Sequence, residues 1–90
     1  MSDRITLTGL RVRGRHGVLP EERRLGQEFV VDAVLHLDLR EAGARDDLGL
    51  TVHYGELAEA LAAVVAGEPV DLLETLSERL AEVCLAAGPV

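Results

Sequence analysis

Apolar and polar residues alternate strictly over twelve positions, from Glu28 to Leu39. One face of this stretch is entirely apolar and the other is mostly polar, with Val30 and Val34 among its residues, which predicts a strand of a sheet with one wetter face. His36 falls on the wetter face, where we expect a surface or interface histidine and not a ligand. A shorter alternation, Ile5 to Arg13, changes phase at Gly9, which predicts a β-bulge within a first strand.

Helical spacing of apolar residues replaces alternation in the C-terminal half of the chain. Thr51 is placed to cap one helix, which Gly67 ends, and Asp71 is placed to begin a second, which Gly88 ends. Between the strands and these helices, the polar stretch Arg40 to Asp47 predicts one short helical turn. The apolar positions are Leu57, Ala60, Leu61, Val64 and Val65 in the first helix, and Leu73, Leu76, Leu80, Val83, Cys84 and Ala87 in the second.

The two strands are joined by fourteen residues, Gly14 to Gln27, which show neither period and which we predict to be a loop. Loops of this length in small domains are usually functional or disordered. This one holds a histidine, two adjacent carboxylates and three arginines. A solvated, charge-balanced loop and a ligand-binding loop are about equally favoured, because its glycines would let the backbone approach a ligand closely.

Ninety residues form one small domain, 1–90, with a modest core of Leu, Val and Ala, since only 2% of the residues are aromatic. The predicted order is strand, loop, strand, helix, helix. Two strands make a poor sheet, so the sheet is expected to be incomplete in this chain. A small core and unpaired strand edges favour burial against a partner subunit.

The net charge of −7 argues against nucleic acid or an anionic membrane as a partner, because both are bound through basic surfaces. All nine basic residues are arginine, so the chain offers no lysine for a Schiff base or for acid–base chemistry. Cys84, the only cysteine, lies on a predicted apolar helix face and is expected to be a structural thiol. We find neither a signal peptide nor a membrane span and expect a cytoplasmic protein.

Three stretches contain residues that could take part in catalysis or ligand binding. Glu22 is a carboxylate in the glycine-containing loop, where it could accept protons or bind donor groups. Val52-His53-Tyr54 precedes a predicted helix, and the Tyr54 hydroxyl could donate a proton or a hydrogen bond. A partly buried aromatic residue without a chemical role is the more common outcome for such a tyrosine.

The third stretch is Leu72-Leu73-Glu74. Glu74 lies three residues after Asp71, the spacing of a capping box, so it could serve only the helix N-terminus. The same geometry could instead place a carboxylate beside free backbone groups, where it would bind the donor edge of an amino-pyrimidinone. The residues alone leave both possibilities open.

Taken together, these stretches resemble the dihydroneopterin aldolase family along almost the whole chain. The matching motifs are Ile5-Thr6-Leu7-Thr8-Gly9-Leu10, Gly14-Arg15-His16-Gly17-Val18 with Glu22-Arg23 and Gly26-Gln27-Glu28-Phe29, then Asp46-Asp47-Leu48, Thr51-Val52-His53-Tyr54 and Leu72-Leu73-Glu74-Thr75. Each motif is weak alone, but all of them occur in the family's order and spacing.

The resemblance implies an α+β tunnelling fold, an antiparallel four-stranded sheet with two helices inserted between strands 2 and 3. Only strands 1 and 2 and the helices are expected in this chain, which would lack the two C-terminal strands. Subunits of the family join into homo-oligomers, tetramer rings or octamers, with active sites between subunits.

The implied reaction is a retro-aldol cleavage of dihydroneopterin in folate biosynthesis, which needs neither metal nor cofactor. By resemblance, Glu22 and Tyr54 are catalytic. The pterin-binding residues are expected to be Glu22, Val52, His53, Tyr54, Leu72, Leu73 and Glu74.

The family's general acid/base is a lysine of the third strand, and these ninety residues contain none. If that lysine is not the base, His16 and His53 are the first alternatives. Two other functions stay open. One is an epimerase acting on dihydroneopterin or its triphosphate, with arginines in or near the loop as phosphate ligands, namely Arg13, Arg15, Arg23 and Arg24. The other is a catalytically dead pterin-binding subunit.

Overall fold

The computed structural model describes residues 3–90 and confirms both predicted strands. Strand β1 spans Asp3–Gly14 and strand β2 spans Gln27–Leu37, and the two pair antiparallel. Pairing shifts register between Leu7 and Leu10, where Gly9 has a φ of 73°. The Gly9 N–H donates a hydrogen bond of 2.7 Å to Oδ1 of Asp32 on β2. The bulge predicted from the phase change at Gly9 is therefore confirmed.

The alternation along β2 corresponds to its two faces. Leu35 and Leu37 are buried, while Asp32, His36 and the flanking valine Val34 are exposed. His36 is thus a surface residue, as expected. A period-two pattern in the sequence produced a sheet with one packed and one open face.

Within the described residues, one α-helix lies between the two strands and three follow β2. They are α1 Pro20–Leu25, α2 Arg40–Arg45, α3 Tyr54–Ala66 and α4 Leu73–Ala86. A single turn of 3₁₀ helix, Leu48–Leu50, precedes α3. The short turn predicted within Arg40–Asp47 is α2. The prediction that Gly14–Gln27 is all loop is wrong, because α1 lies inside it. Six residues are too few to show a helical period, and Pro20 at the first helical position was the available signal.

Both predicted N-caps of the long helices are also wrong. The backbone N–H of Thr51 closes the 3₁₀ turn on the Leu48 carbonyl, and His53 caps α3 through Nδ1, which accepts from the Glu56 N–H at 3.2 Å. At α4 the N-cap is Leu72, without a side-chain bond. The Asp71 carboxylate instead pairs with an arginine of α1, described below.

The core is formed where β2, α3 and the segment before α3 meet. Helix α3 packs against β1, and α4 packs against α3. The fully enclosed cluster consists of Leu35, Leu37, Val52, Leu57 and Leu61. An open apolar groove of about 590 Å³ runs between β2 and α4. Within residues 3–90, no helix is both long and apolar enough to cross a membrane.

Candidate active site

The Glu22 carboxylate is fixed by three contacts within its own segment. Oε1 accepts from the Leu19 backbone N–H at 3.0 Å, and Oε2 accepts from Nε2 of Gln27 at 3.3 Å. The carboxyl group also lies over the Cα of Gly17, so close that a Cβ built there would be 2.5 Å from it. Gly17 has a φ of 134°, which L side chains rarely adopt. The glycine is therefore required both for the backbone and for the position of Glu22.

His16 is the one polar side chain of the described residues that is buried, with 1% of its surface exposed. Its Nδ1 accepts from the backbone N–H of Val70 at 3.1 Å, and its Nε2 lies 2.6 Å from the carbonyl oxygen of Val65. An imidazole that accepts at Nδ1 and meets a carbonyl at Nε2 is the neutral ring with its proton on Nε2. Because both nitrogens are bound to backbone, His16 is not available as a base. These contacts count against His16 as the alternative base considered from the sequence.

Further contacts connect the Gly14–Gln27 segment to the chain just before α4. The Gly17 N–H donates to the Val70 carbonyl at 2.9 Å, and the Arg23 guanidinium forms an ion pair with Asp71. Arg23 also donates from Nε to the Gly17 carbonyl at 3.1 Å. The segment containing Glu22 is thus attached to the residues that lead into Leu72-Leu73-Glu74.

Leu72, Leu73 and Glu74 themselves are exposed, although two of them are large and apolar. Glu74 lies in the first turn of α4, where its charge suits the helix dipole. The capping-box alternative fails, because Asp71 is not the cap. Exposed leucines beside a carboxylate at a helix N-terminus form a surface that can receive a flat, polar-edged ligand.

Val52, His53 and Tyr54 lie at the other end of the helix pair. Val52 is 2% exposed, whereas Tyr54 is 68% exposed at the start of α3. His16 contacts Val65 near the end of the same helix. Val65 is eleven residues from Tyr54, so about 17 Å of helix separates Tyr54 from the residue that His16 contacts. The predicted site residues therefore form two separate groups within one chain: Glu22 with Leu72–Glu74, and Val52–Tyr54.

Two of the four arginines considered as phosphate ligands, Arg13 and Arg23, are bound to the protein's own groups. Arg13 donates to the carbonyls of Leu25 and Gly26, and Arg23 is bound as described above. These contacts count against Arg13 and Arg23 as phosphate ligands. Among residues 3–90, no three metal-ligating side chains come together.

Cys84 is half-buried on α4, and burial raises the pKa of its thiol. A raised pKa reduces the thiolate fraction at neutral pH, which suits a structural residue and not a nucleophile.

Comparison with known proteins assigns the fold and the motifs to one family. The family model described as FolB, dihydroneopterin aldolase, matches residues 5–90. The chain belongs to the dihydroneopterin aldolase family. The dihydroneopterin aldolase of Streptomyces coelicolor is 63% identical over 83 residues, covering 92% of this chain and 70% of that protein. The one from Methylorubrum extorquens is 47% identical, covering 99% of this chain and 68% of that protein.

Among solved structures, Escherichia coli dihydroneopterin aldolase in complex with neopterin superposes with a TM-score of 0.84 at 31% identity. The match covers 93% of this chain and 73% of that chain. This likeness confirms the α+β fold expected for a dihydroneopterin aldolase. Sequence reasoning missed how His16, Gly17 and Arg23 connect the motifs, because those contacts join positions about fifty residues apart.

Proposed function

We propose that this protein cleaves dihydroneopterin to hydroxymethyl-dihydropterin and glycolaldehyde, in the folate pathway. The observation that carries the proposal is the attachment of the Glu22 segment to the exposed Leu72–Glu74 surface. One carboxylate can serve the ring and the other the side chain of one pterin. Family membership and the neopterin complex of the E. coli relative support the same substrate class.

The reaction uses the pterin's own C=N bond as the electron sink. A base removes the proton of the side-chain hydroxyl on the second carbon, and the bond between the first and second side-chain carbons breaks. Glycolaldehyde leaves, and the electron pair moves into the ring imine to give an enamine-like intermediate. Protonation of the first side-chain carbon then restores the imine. The protein has to hold the ring and move two protons.

The ring-binding role falls to the start of α4. Glu74 would accept from the amino and ring N–H groups of the pterin, and the backbone of Leu72 and Leu73 would complete the contact. Charge-assisted hydrogen bonds of this kind are stronger than neutral ones. Glu22, already oriented by Leu19 and Gln27, would face the hydroxyl groups of the side chain.

Tyr54 and its neighbours would reach this ligand from a second subunit. Within one chain roughly 17 Å of helix separates Tyr54 from the His16 end of α3, too far for both groups to touch one pterin. A homo-oligomer, a tetramer ring or an octamer, would bring the Val52–Tyr54 group of one subunit to the Glu22 and Glu74 group of the next. Tyr54 then supplies or orders a proton, and the Val52 backbone contacts the ring.

The proton acceptor is not assigned to His16, because both of its ring nitrogens are occupied. His53 also uses Nδ1 in capping α3, which leaves only its Nε2 for chemistry. The family's lysine has no counterpart in these ninety residues. We propose that two further strands of the family's sheet, with that lysine, lie along β2 and the apolar groove. The intact mass of the expressed protein tests whether residues follow Val90.

Glu74→Gln tests the ring-binding role. The substitution keeps the shape and removes the charge, so neopterin affinity should fall by roughly 2 kcal/mol or more, about thirtyfold, in calorimetric titration. The melting temperature should change little, because Glu74 caps nothing and contributes only about 0.3–1 kcal/mol through the helix dipole.

Glu82→Gln is the matched control for Glu74→Gln. Glu82 is an exposed glutamate two turns along the same helix, and its loss should leave neopterin affinity unchanged. Equal affinities for the wild type and Glu74→Gln would contradict the assigned role.

A further inference from the structure

We propose that His16 and the Arg23–Asp71 ion pair are positioning elements for pterin binding, which hold the chain entering α4 so that Glu74 and Glu22 face one ligand. The inference rests on the proposed function. It assigns a role to a buried side chain and an ion pair that the chemistry above does not use.

His16 fixes Val70, which lies two residues before the N-cap of α4. Val70 has both of its backbone polar groups bound by the loop, its N–H by Nδ1 of His16 and its carbonyl by the N–H of Gly17. A residue fixed at both groups cannot rotate about the chain direction. Leu72 follows two positions later and Glu74 four positions later. The orientation of the Val70 backbone therefore determines the position of the first turn of α4.

Helix α4 has no side-chain cap that would fix its start. The N-cap, Leu72, makes no side-chain hydrogen bond, and Asp71 is turned toward Arg23. Helix starts are usually fixed by a capping side chain that binds free N–H groups of the first turn. Here the orientation comes from the loop that also carries Glu22. The two carboxylates are consequently attached to one connected set of contacts.

The two hydrogen bonds of the His16 ring lead to different parts of the chain. Nε2 of His16 meets the Val65 carbonyl at the end of α3, whereas Nδ1 meets the Val70 N–H before α4. Only the second bond leads to the pterin-binding residues. The two bonds can be removed one at a time, because each lies at a different distance along the side chain.

His16→Asn and His16→Gln are the test variants. An asparagine oxygen takes the place of Nδ1 and can still accept from Val70, while the bond to Val65 is lost. A glutamine NH₂ takes the place of Nε2 and can still donate to Val65, while the bond to Val70 is lost. Both variants lose one buried hydrogen bond, so both should lower the melting temperature by comparable amounts.

Neopterin affinity should respond to only one of them. In the intact assembled protein, His16→Gln should bind neopterin roughly tenfold more weakly or worse, since charge-assisted hydrogen bonds from a misplaced carboxylate weaken as their geometry is lost. His16→Asn should keep the wild-type affinity. In turnover assays the KM of His16→Gln should rise by a larger factor than its kcat falls. Equal losses of affinity in both variants, or no loss in either, overturn the inference.

Asp71→Asn tests the positioning role if neither His16 variant folds. The ion pair is solvent-exposed, with side chains 42% and 66% accessible, so its loss should hardly change the melting temperature. Neopterin affinity should nevertheless fall several-fold. Glu41→Gln is the matched control, since it breaks the comparably exposed Arg45–Glu41 pair in α2 and should change neither property. An unchanged affinity of Asp71→Asn overturns the inference.

Failure of the proposed function gives a different result. If the unaltered protein does not bind neopterin at all, the proposed function fails and this inference fails with it. If the unaltered protein binds neopterin but the two His16 variants behave alike, only the inference fails.

Discussion

At the scale of single residues, the candidate site depends on contacts that a motif does not express. Gly17 lies in a sequence pattern shared with the family. A glycine is required there because the Glu22 carboxyl group lies directly above its Cα. His16 likewise stands in the same motif because two backbone groups need one side chain that can both accept and donate. The residue types were readable from the sequence, but their partners were not.

Gly17→Ala should therefore displace Glu22. The added methyl group would be 2.5 Å from the carboxyl carbon, and the backbone φ of 134° is strained for alanine. We expect a loss of stability of about 1–3 kcal/mol and a marked fall in turnover, measured by thermal melting and by glycolaldehyde release.

Gly43→Ala is the control for Gly17→Ala. Gly43 lies within α2, and a Cβ there would meet nothing within 4 Å. The change should stabilise the protein by about 0.5–1 kcal/mol and leave turnover unchanged. If Gly17→Ala behaves like Gly43→Ala, Glu22 does not depend on the space that Gly17 provides.

At the scale of elements, the spacing of apolar residues predicted the elements that are long enough to show a period. The twelve-residue alternation became β2, and the apolar stripes became α3 and α4. The misses lie where an element is too short to show a period, or where a different contact replaces the predicted cap. Helix α1 has only six residues, and Asp71 pairs with Arg23 instead of capping α4. Long-range partners of this kind cannot be read from one sequence, because spacing says nothing about which loop folds onto which helix.

The junction of β2 and α2 has its own electrostatic link, Asp38 with Arg40. The guanidinium and the backbone N–H of Arg40 both donate to Asp38, and the pKa of that carboxyl is lowered from 3.8 to about 2. A carboxyl whose pKa is lower in the folded protein stabilises it above the unfolded pKa, and that stability is lost as the pH falls toward 2.

Asp38→Asn should consequently lower the melting temperature near neutral pH only slightly, because both side chains of the pair are exposed to solvent. The difference from wild type should stay constant down to about pH 4 and shrink below it, as the wild-type carboxyl also loses its charge. Melting curves of both proteins across this range check the prediction. A difference that grows on acidification would contradict it.

At the scale of the whole molecule, the main feature is that the described residues leave surfaces uncovered. The apolar groove beside β2 holds about 590 Å³, and residues assigned to one ligand lie at opposite ends of the helix pair. Both features favour a site completed by other segments or subunits. The association expected from the sequence stays a prediction, which light scattering or native mass spectrometry of the intact protein can test.

A site shared between subunits makes a quantitative prediction for mixed oligomers. Glu74→Gln alone damages one half of every site, and Tyr54→Phe alone damages the other half. In a ring assembled from equal amounts of both variants, each site takes its Glu74 from one subunit and its Tyr54 from the next. About one quarter of the sites then receive two intact halves.

Co-refolding or co-expression of the two variants should accordingly restore glycolaldehyde release to as much as about one quarter of the wild-type rate. Each variant treated alone in the same way should stay at its own low rate, which controls for recovery by refolding. If both groups instead served one pterin within a single chain, every subunit of the mixture would carry one damaged half. Mixing would then give only the mean of the two low rates, and the assignment of Tyr54 to a neighbouring subunit would be wrong.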